Sequence, residues 1–225
     1  EKTGWKTIAK KYEKVFLRNL KDLNITSVNK FAKATDYIPE IIKQVKTLIK
    51  KNVAYEIPGD GWYFDLKTFP DYGKLAHRTI SQANDGVSRI DMNDKKRNVG
   101  DFCLWKFSHT KNAPSLKGSG NTKAPILIND EPAWRSSLGW GRPGWHIEDT
   151  AISESFFGPQ YDLHGGAIDL KFPHHEAEIA QQESASGKKP FVKLWMHAGF
   201  LEVNGQKMSK SLSNFVTIGD MLKKY

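Results

Sequence analysis

From residue 126 onward the chain alternates short apolar runs, paired glycines and helix-start signals. Strands interleaved with helices can bury both faces of a sheet, so this rhythm predicts an α/β core rather than a helical bundle or a β-sandwich. Asp162-Leu163-His164 and Leu194-Trp195-Met196-His197 read as strand ends running into loops, and His174 to Ala185 as a helix entered through Pro173. Upstream the pattern is different. Trp5, Ile8, Tyr12, Val15, Phe16 and Leu20 recur at helical spacing over residues 1–23. A second helix is expected to start near Pro39, with Ile41, Ile42, Val45, Leu48 and Ile49 as its apolar stripe and Lys43, Lys46, Lys50 and Lys51 on a solvated face. Pro58-Gly59-Asp60-Gly61 is a turn signal, Trp62 to Leu66 a strand, and Phe102 to Trp105 a short buried element. Residues 71–101 read as short helices and loops. Residues 108–125, rich in Ser, Gly, Lys and Pro, are the least ordered stretch by composition.

The 225 residues suffice for one sizeable core, or for a large domain with an insertion. Cys103 is the only cysteine, which excludes an internal disulfide framework and fits a reducing, cytoplasmic setting. Its neighbours Phe102 and Trp105 mark it as a buried thiol, not a nucleophile. No apolar run approaches the ~18–20 residues that span a bilayer, so no membrane partner is expected. The net charge of +9 suits a polyanionic partner. Solubility alone would also explain it; the lysines cluster in two separate stretches, Lys43 to Lys51 and Lys188 to Lys193, rather than in one stripe, which favours nucleic acid only weakly.

Four motifs carry chemistry. In Lys207-Met208-Ser209-Lys210-Ser211, two lysines in a loop after Asn204-Gly205 can close over a triphosphate, each a compact charge on a mobile stem. Arg142-Pro143-Gly144 forces a turn that sets Trp145 and His146 at the start of the next element, where an indole face can wall an amino-acid pocket. A lone tryptophan is more often core. His164-Gly165-Gly166 allows close backbone approach to a ligand, and Asp169 could accept hydrogen bonds from ribose hydroxyls. His174 and Glu178 are four apart, so on a helix they share a face and can converge on an ion such as Zn²⁺. An isolated pair of this kind more often only complements the helix dipole.

Together these residues resemble cysteinyl-tRNA synthetases, of class I. The resemblance runs through Arg142-Pro-Gly-Trp-His-Ile-Glu148, Asp162-Leu-His-Gly-Gly166, Asp169-Leu170, Phe172-Pro-His-His-Glu176, Glu178-Ile-Ala-Gln181 and Lys207 to Phe215. Earlier segments, Ala34-Thr35, Ile38-Pro-Glu40, Tyr63-Phe-Asp65 and Asp71-Tyr-Gly-Lys-Leu75, extend it over nearly the whole chain. It implies a class I Rossmann-type catalytic domain. Residues 1–125 would complete its first half and carry a mostly helical connective insertion, and residues 126–225 would form the second half. It implies a monomer that uses Mg-ATP, L-cysteine and tRNA(Cys). The implied roles are triphosphate stabilisation by Lys207 and Lys210, and ATP binding by Gly165, Gly166, Asp169, Met208, Ser209, Lys210 and Ser211. Trp145 and His174 would contact the amino acid, and zinc would be held by Asp149, His174 and Glu178.

Two departures from the family pattern stand out. The family usually carries Cys where this chain has Asp149, and neither the HxGH signature nor the Cys before it is present. The expectation is therefore an internal segment of a longer synthetase, inactive alone. Three other readings stay open: a cysteine ligase acting on a small amine, another class I specificity, and a non-catalytic RNA-binding remnant of a synthetase.

Overall fold

A computed structural model describes residues 4–79, 93–108 and 124–224. The expectation of poor order over 108–125 falls on residues that lie, but for 108, 124 and 125, outside them. The chain forms two compact units, Ala32–Gly199 and Glu1–Phe31 with Phe200–Tyr225. Within the described residues no helix is long and apolar enough to cross a membrane.

In the larger unit, helix α2 (Ile38–Lys50) opens with Pro39 in its first turn, as expected. Ile38, Ile41, Ile42, Val45 and Leu48 are buried and the lysine face is exposed. A six-stranded antiparallel sheet runs in the order β1-β2-β3-β6-β5-β4. Its strands are β1 (Ala54–Ile57), β2 (Gly61–Phe64), β3 (Phe102–Phe107), β4 (Ile126–Ile128), β5 (Glu131–Ser136) and β6 (Gly139–Pro143). Helices α3 (Trp145–Phe157) and α4 (Glu176–Ser186) follow, with the parallel pair β7 (Tyr161–Ala167) and β8 (Val192–Ala198). One core joins α2, β2, β3, α3 and α4 around Trp105, Phe64, Leu104, Ile147 and Ala180.

The α/β alternation therefore begins at Trp145 and not at residue 126. Residues 126–143 form an antiparallel meander instead. The reason is turn chemistry: Asn129 and Asp130 both take positive φ, 53° and 63°, and join Ile128 directly to Glu131. That two-residue turn returns the strand on itself and leaves no room for a helical crossover. The sheet accordingly takes strands from both sides of residue 125.

Between helices α2, α3 and α4 lies a buried polar cluster. Thr150 Oγ1 donates to Gln44 Oε1 at 2.7 Å, and Gln181 Nε2 donates to Thr150 Oγ1 at 2.8 Å. Glu176, wholly buried at the start of α4, accepts from the backbone N–H of Gly73 (2.9 Å) and of Ala76 (2.7 Å). It thus ties the 71–79 loop to the helix that carries Glu178.

Gly144 sets the start of α3. Its N–H donates to Leu104 O at 2.9 Å, and a Cβ there would lie 1.8 Å from the carbonyl oxygen of Cys103. Gly144→Ala must push α3 away from β3, at a cost of about 1–3 kcal/mol. We expect a lowered urea midpoint on unfolding, with Trp145 and His146 displaced.

The smaller unit contains helix α1 (Trp5–Asp22), the hairpin β9 (Glu202–Val203) with β10 (Gln206–Lys207), and α5 (Ile218–Lys224). Helix α1 has the expected periodicity, but none of its residues is buried; Tyr12 is 62% exposed.

Candidate functional site

Local chain geometry brings parts of the second, third and fourth motifs together. Asp149 is on α3, His174 lies in the turn Lys171–His175 that enters α4, and Glu178 is one helical turn further on. His174 Nε2 is 2.9 Å from Asp149 Oδ2 and 2.9 Å from Glu178 Oε1. The three donor atoms lie within 4.8 Å of one another. His174 Nδ1 faces His146 Nδ1 at 2.6 Å. Burial pushes the His146 imidazole down to about 3, so it is neutral and can accept from His174 Nδ1–H. That contact turns His174 Nε2 toward the carboxylates.

Glu178 is fully buried, and among the described residues neither of its oxygens accepts an aligned hydrogen bond. The His174 approach to Oε1 is one of charge proximity. Burial pushes Glu178 up to about 7 against the pull of His174. Burial also opposes charge on His174, but the Asp149 hydrogen bond and the charges of Glu178 and Asp149 outweigh it and lift that group to about 9. A buried carboxylate without donors is costly unless a cation answers it. The donor set of one imidazole and two carboxylates therefore fits a divalent ion of the Zn²⁺ type, harder than a thiolate site would be. Asp149, with 44% of its side chain exposed, opens the cluster to solvent.

Trp145 is 59% exposed rather than core, and its ring stacks on His174 at 4.2 Å between centroids. Gly165 pairs with Met196 and has ordinary clearance, leaving its backbone approachable. Gly166 serves a different need: a Cβ there would lie 2.8 Å from Cε1 of His175, so its absence admits that ring. Asp169 sits in the short turn Ile168–Leu170 just after β7.

Sequence reasoning missed how many histidines converge. Rings 146, 174, 175, 164 and 197 form a contiguous chain, with centroids 4.8 Å apart for His146–His174 and His164–His175, 5.6 Å for His174–His175 and 5.0 Å for His175–His197. The available signal was that four of the seven histidines, His146, His164, His174 and His175, fall within the motif-bearing segments.

In the smaller unit the lysine loop is held by Asn214, also missed. Asn214 Oδ1 accepts from Ser209 N–H (2.8 Å), and its Nδ2 donates to Lys207 O (3.1 Å). Met208 N–H donates to Leu201 O at 2.7 Å, and Ser209 and Ser211 hydroxyls are 3.1 Å apart. Lys207 Nζ stands over the Phe200 ring at 3.6 Å, whereas the Lys210 side chain is exposed.

Residues 1–225 match the family described as tRNA synthetases class I (C) catalytic domain, to which the chain belongs. It is similar to the cysteine–tRNA ligase of Thermoplasma acidophilum, 50% identical over 218 residues, which are 97% of this chain and 44% of the relative. It is 48% identical to that of Thermoplasma volcanium, over 97% of this chain and 43% of the relative. It is 44% identical to a cysteine–tRNA ligase of Coxiella burnetii, over 96% and 42% of the two chains. The chain thus spans less than half the length of these relatives.

Proposed function

We propose that the protein containing this chain is a cysteine–tRNA ligase that acts in the cytoplasm as a monomer, with Mg-ATP, L-cysteine and tRNA(Cys) as substrates. The observation that carries this reading is the convergence of Asp149, His174 and Glu178 beside the exposed Trp145 ring. Cysteine's carboxylate oxygen attacks the α-phosphorus of ATP, pyrophosphate leaves, and the cysteinyl group passes to a terminal adenosine hydroxyl of the tRNA with release of AMP.

Asp149, His174 and Glu178 would hold the ion, which would supply a coordination position that a thiolate fills in preference to a hydroxyl. Discrimination of cysteine from serine at that position removes the need for editing. Trp145 packs against the substrate beside His174. Gly165, Gly166 and Asp169 bind the adenosine, the glycines by close backbone approach and Asp169 through ribose hydroxyls. Lys207 and Lys210 neutralise charge on the leaving pyrophosphate, with Met208, Ser209 and Ser211 shaping the loop. In the domain scheme, residues 1–125 complete the first half with its insertion and residues 126–225 form the second. Leu163, Leu194 and Met196 on β7 and β8 are 49%, 62% and 60% exposed. Parallel strands are normally covered on both faces by helices, so packing elements of the full-length protein are expected to cover them.

The test is amino-acid-dependent ATP–pyrophosphate exchange on the full-length protein. Exchange with cysteine and not serine, lost on chelation, is the expected result. Absence of exchange with any amino acid would overturn the reading in favour of an RNA-binding remnant.

A further inference from the structure

Glu178 presents two buried oxygens to two different neighbourhoods. Oε1 is 2.9 Å from His174 Nε2, and Oε2 is 3.5 Å from His164 Nε2. His164, His175 and Glu178 form a second group of donor atoms, all within 4.8 Å of one another. We propose that this group is a second divalent-cation site, which shares Glu178 with the Asp149–His174–Glu178 centre.

Three observations carry it. The first is the Glu178 carboxylate itself, fully buried and accepting no aligned hydrogen bond at either oxygen. One ion beside His174 answers Oε1 and leaves Oε2 facing two imidazoles. The second is the way the two rings are held. His164 Nδ1 is engaged by the Tyr161 hydroxyl at 2.5 Å, and His175 Nδ1 by His197 Nε2 at 2.8 Å. Each ring is thus anchored through one nitrogen and keeps the other available, which is the usual outer arrangement of metal-binding histidines. His174, anchored through Nδ1 by His146, follows the same pattern. The third is the enclosure. His175 is 1% exposed, and the Trp195 ring lies 4.8 Å from both His164 and His175, shielding the group from water.

Two imidazoles and one carboxylate suit a borderline ion such as Zn²⁺ or Fe²⁺ rather than Ca²⁺ or Mg²⁺. A carboxylate that bridges two such ions offsets part of their mutual repulsion, as in other two-metal centres. Gly166 is the sequence device that makes the site, because any side chain there would displace His175.

The proposal extends the metal-centre reading above, and the two fail separately. Full-length protein equilibrated with Zn²⁺ is freed of excess metal, and zinc is counted by plasma mass spectrometry. His164→Gln and His175→Gln are expected each to lower the content by one equivalent while keeping the ion that Asp149 helps to hold. Asp149→Ala is expected to lose that ion and keep the other. Unchanged zinc in both histidine variants overturns the second site alone. Loss of every zinc in Asp149→Ala overturns it too. Because a variant can misfold, anomalous diffraction at the zinc edge from the unaltered protein gives an independent answer. Two peaks flanking Glu178 support the proposal, and a single peak at His174 ends it.

Discussion

Replacing Lys210 by alanine lowers the rate of cysteine activation by about 100- to 1000-fold in the full-length protein, the usual cost of removing one charge-stabilising group from a transition state. Metal content and thermal unfolding stay as they were. The Lys210 side chain is exposed, so its loss removes no core packing. The backbone around it is fixed by other residues: Asn214 clasps Ser209 and Lys207, and Ser213 N–H donates to Lys210 O at 3.2 Å. The loop therefore keeps its form without the ammonium group. Lys207 differs, because its ammonium already rests on the Phe200 ring, a contact that must be exchanged for phosphate. Lys207→Ala is accordingly expected to cost less. Single-turnover pyrophosphate release separates chemistry from substrate binding. A Lys210→Ala rate within about threefold of the unaltered protein would remove Lys210 from the chemical step.

The lysine loop was legible because its chemistry depends on a contiguous string of residues. The cluster of Asp149, His174 and Glu178 was partly legible for the same reason, since His174 and Glu178 are one helical turn apart. Asp149 could be placed beside them only through resemblance, because its approach depends on how α3 packs against α4. The wider histidine chain was hidden. His164 and His197 sit on β7 and β8, and the parallel pairing that sets Gly166 opposite His197 is long-range. Nor does any local pattern reveal that Gly166 yields space to His175. The α/β rhythm was read correctly from Trp145 on, but it was extended too far upstream. Glycines and short apolar runs look alike in a crossover and in a meander, and only the positive φ at Asn129 and Asp130 separates them. Trp145 was open to a core reading because an indole at the start of a helix carries no sign of which side it faces.

Glu178→Gln tests the electrostatic argument in both directions. The amide keeps the shape of the carboxylate and removes its charge. A ligand should matter at least as much as an outer-shell partner, so zinc binding is expected to weaken by more than about 100-fold. Both ions should be lost together, unlike the effect of Asp149→Ala. Stability without metal should move the other way. In the metal-free protein burial raises Glu178 from its ordinary 4.5 to about 7. The folded state then holds a proton that the unfolded chain releases, so folding stability falls as pH rises through this window. The loss is on the order of 2–3 kcal/mol by pH 7. Glutamine has no proton to lose, so the variant should lack that part of the decline and melt above the unaltered metal-free protein at neutral pH. Zinc reverses the order, because the ion takes the place of the proton and stabilises only the carboxylate form. Denaturant titrations at pH 5 and pH 7.5, with chelator and with zinc, therefore give four predicted rankings. Equal pH slopes for the two metal-free proteins would mean that Glu178 is satisfied by protein groups alone, and the reason for placing a cation beside it would disappear.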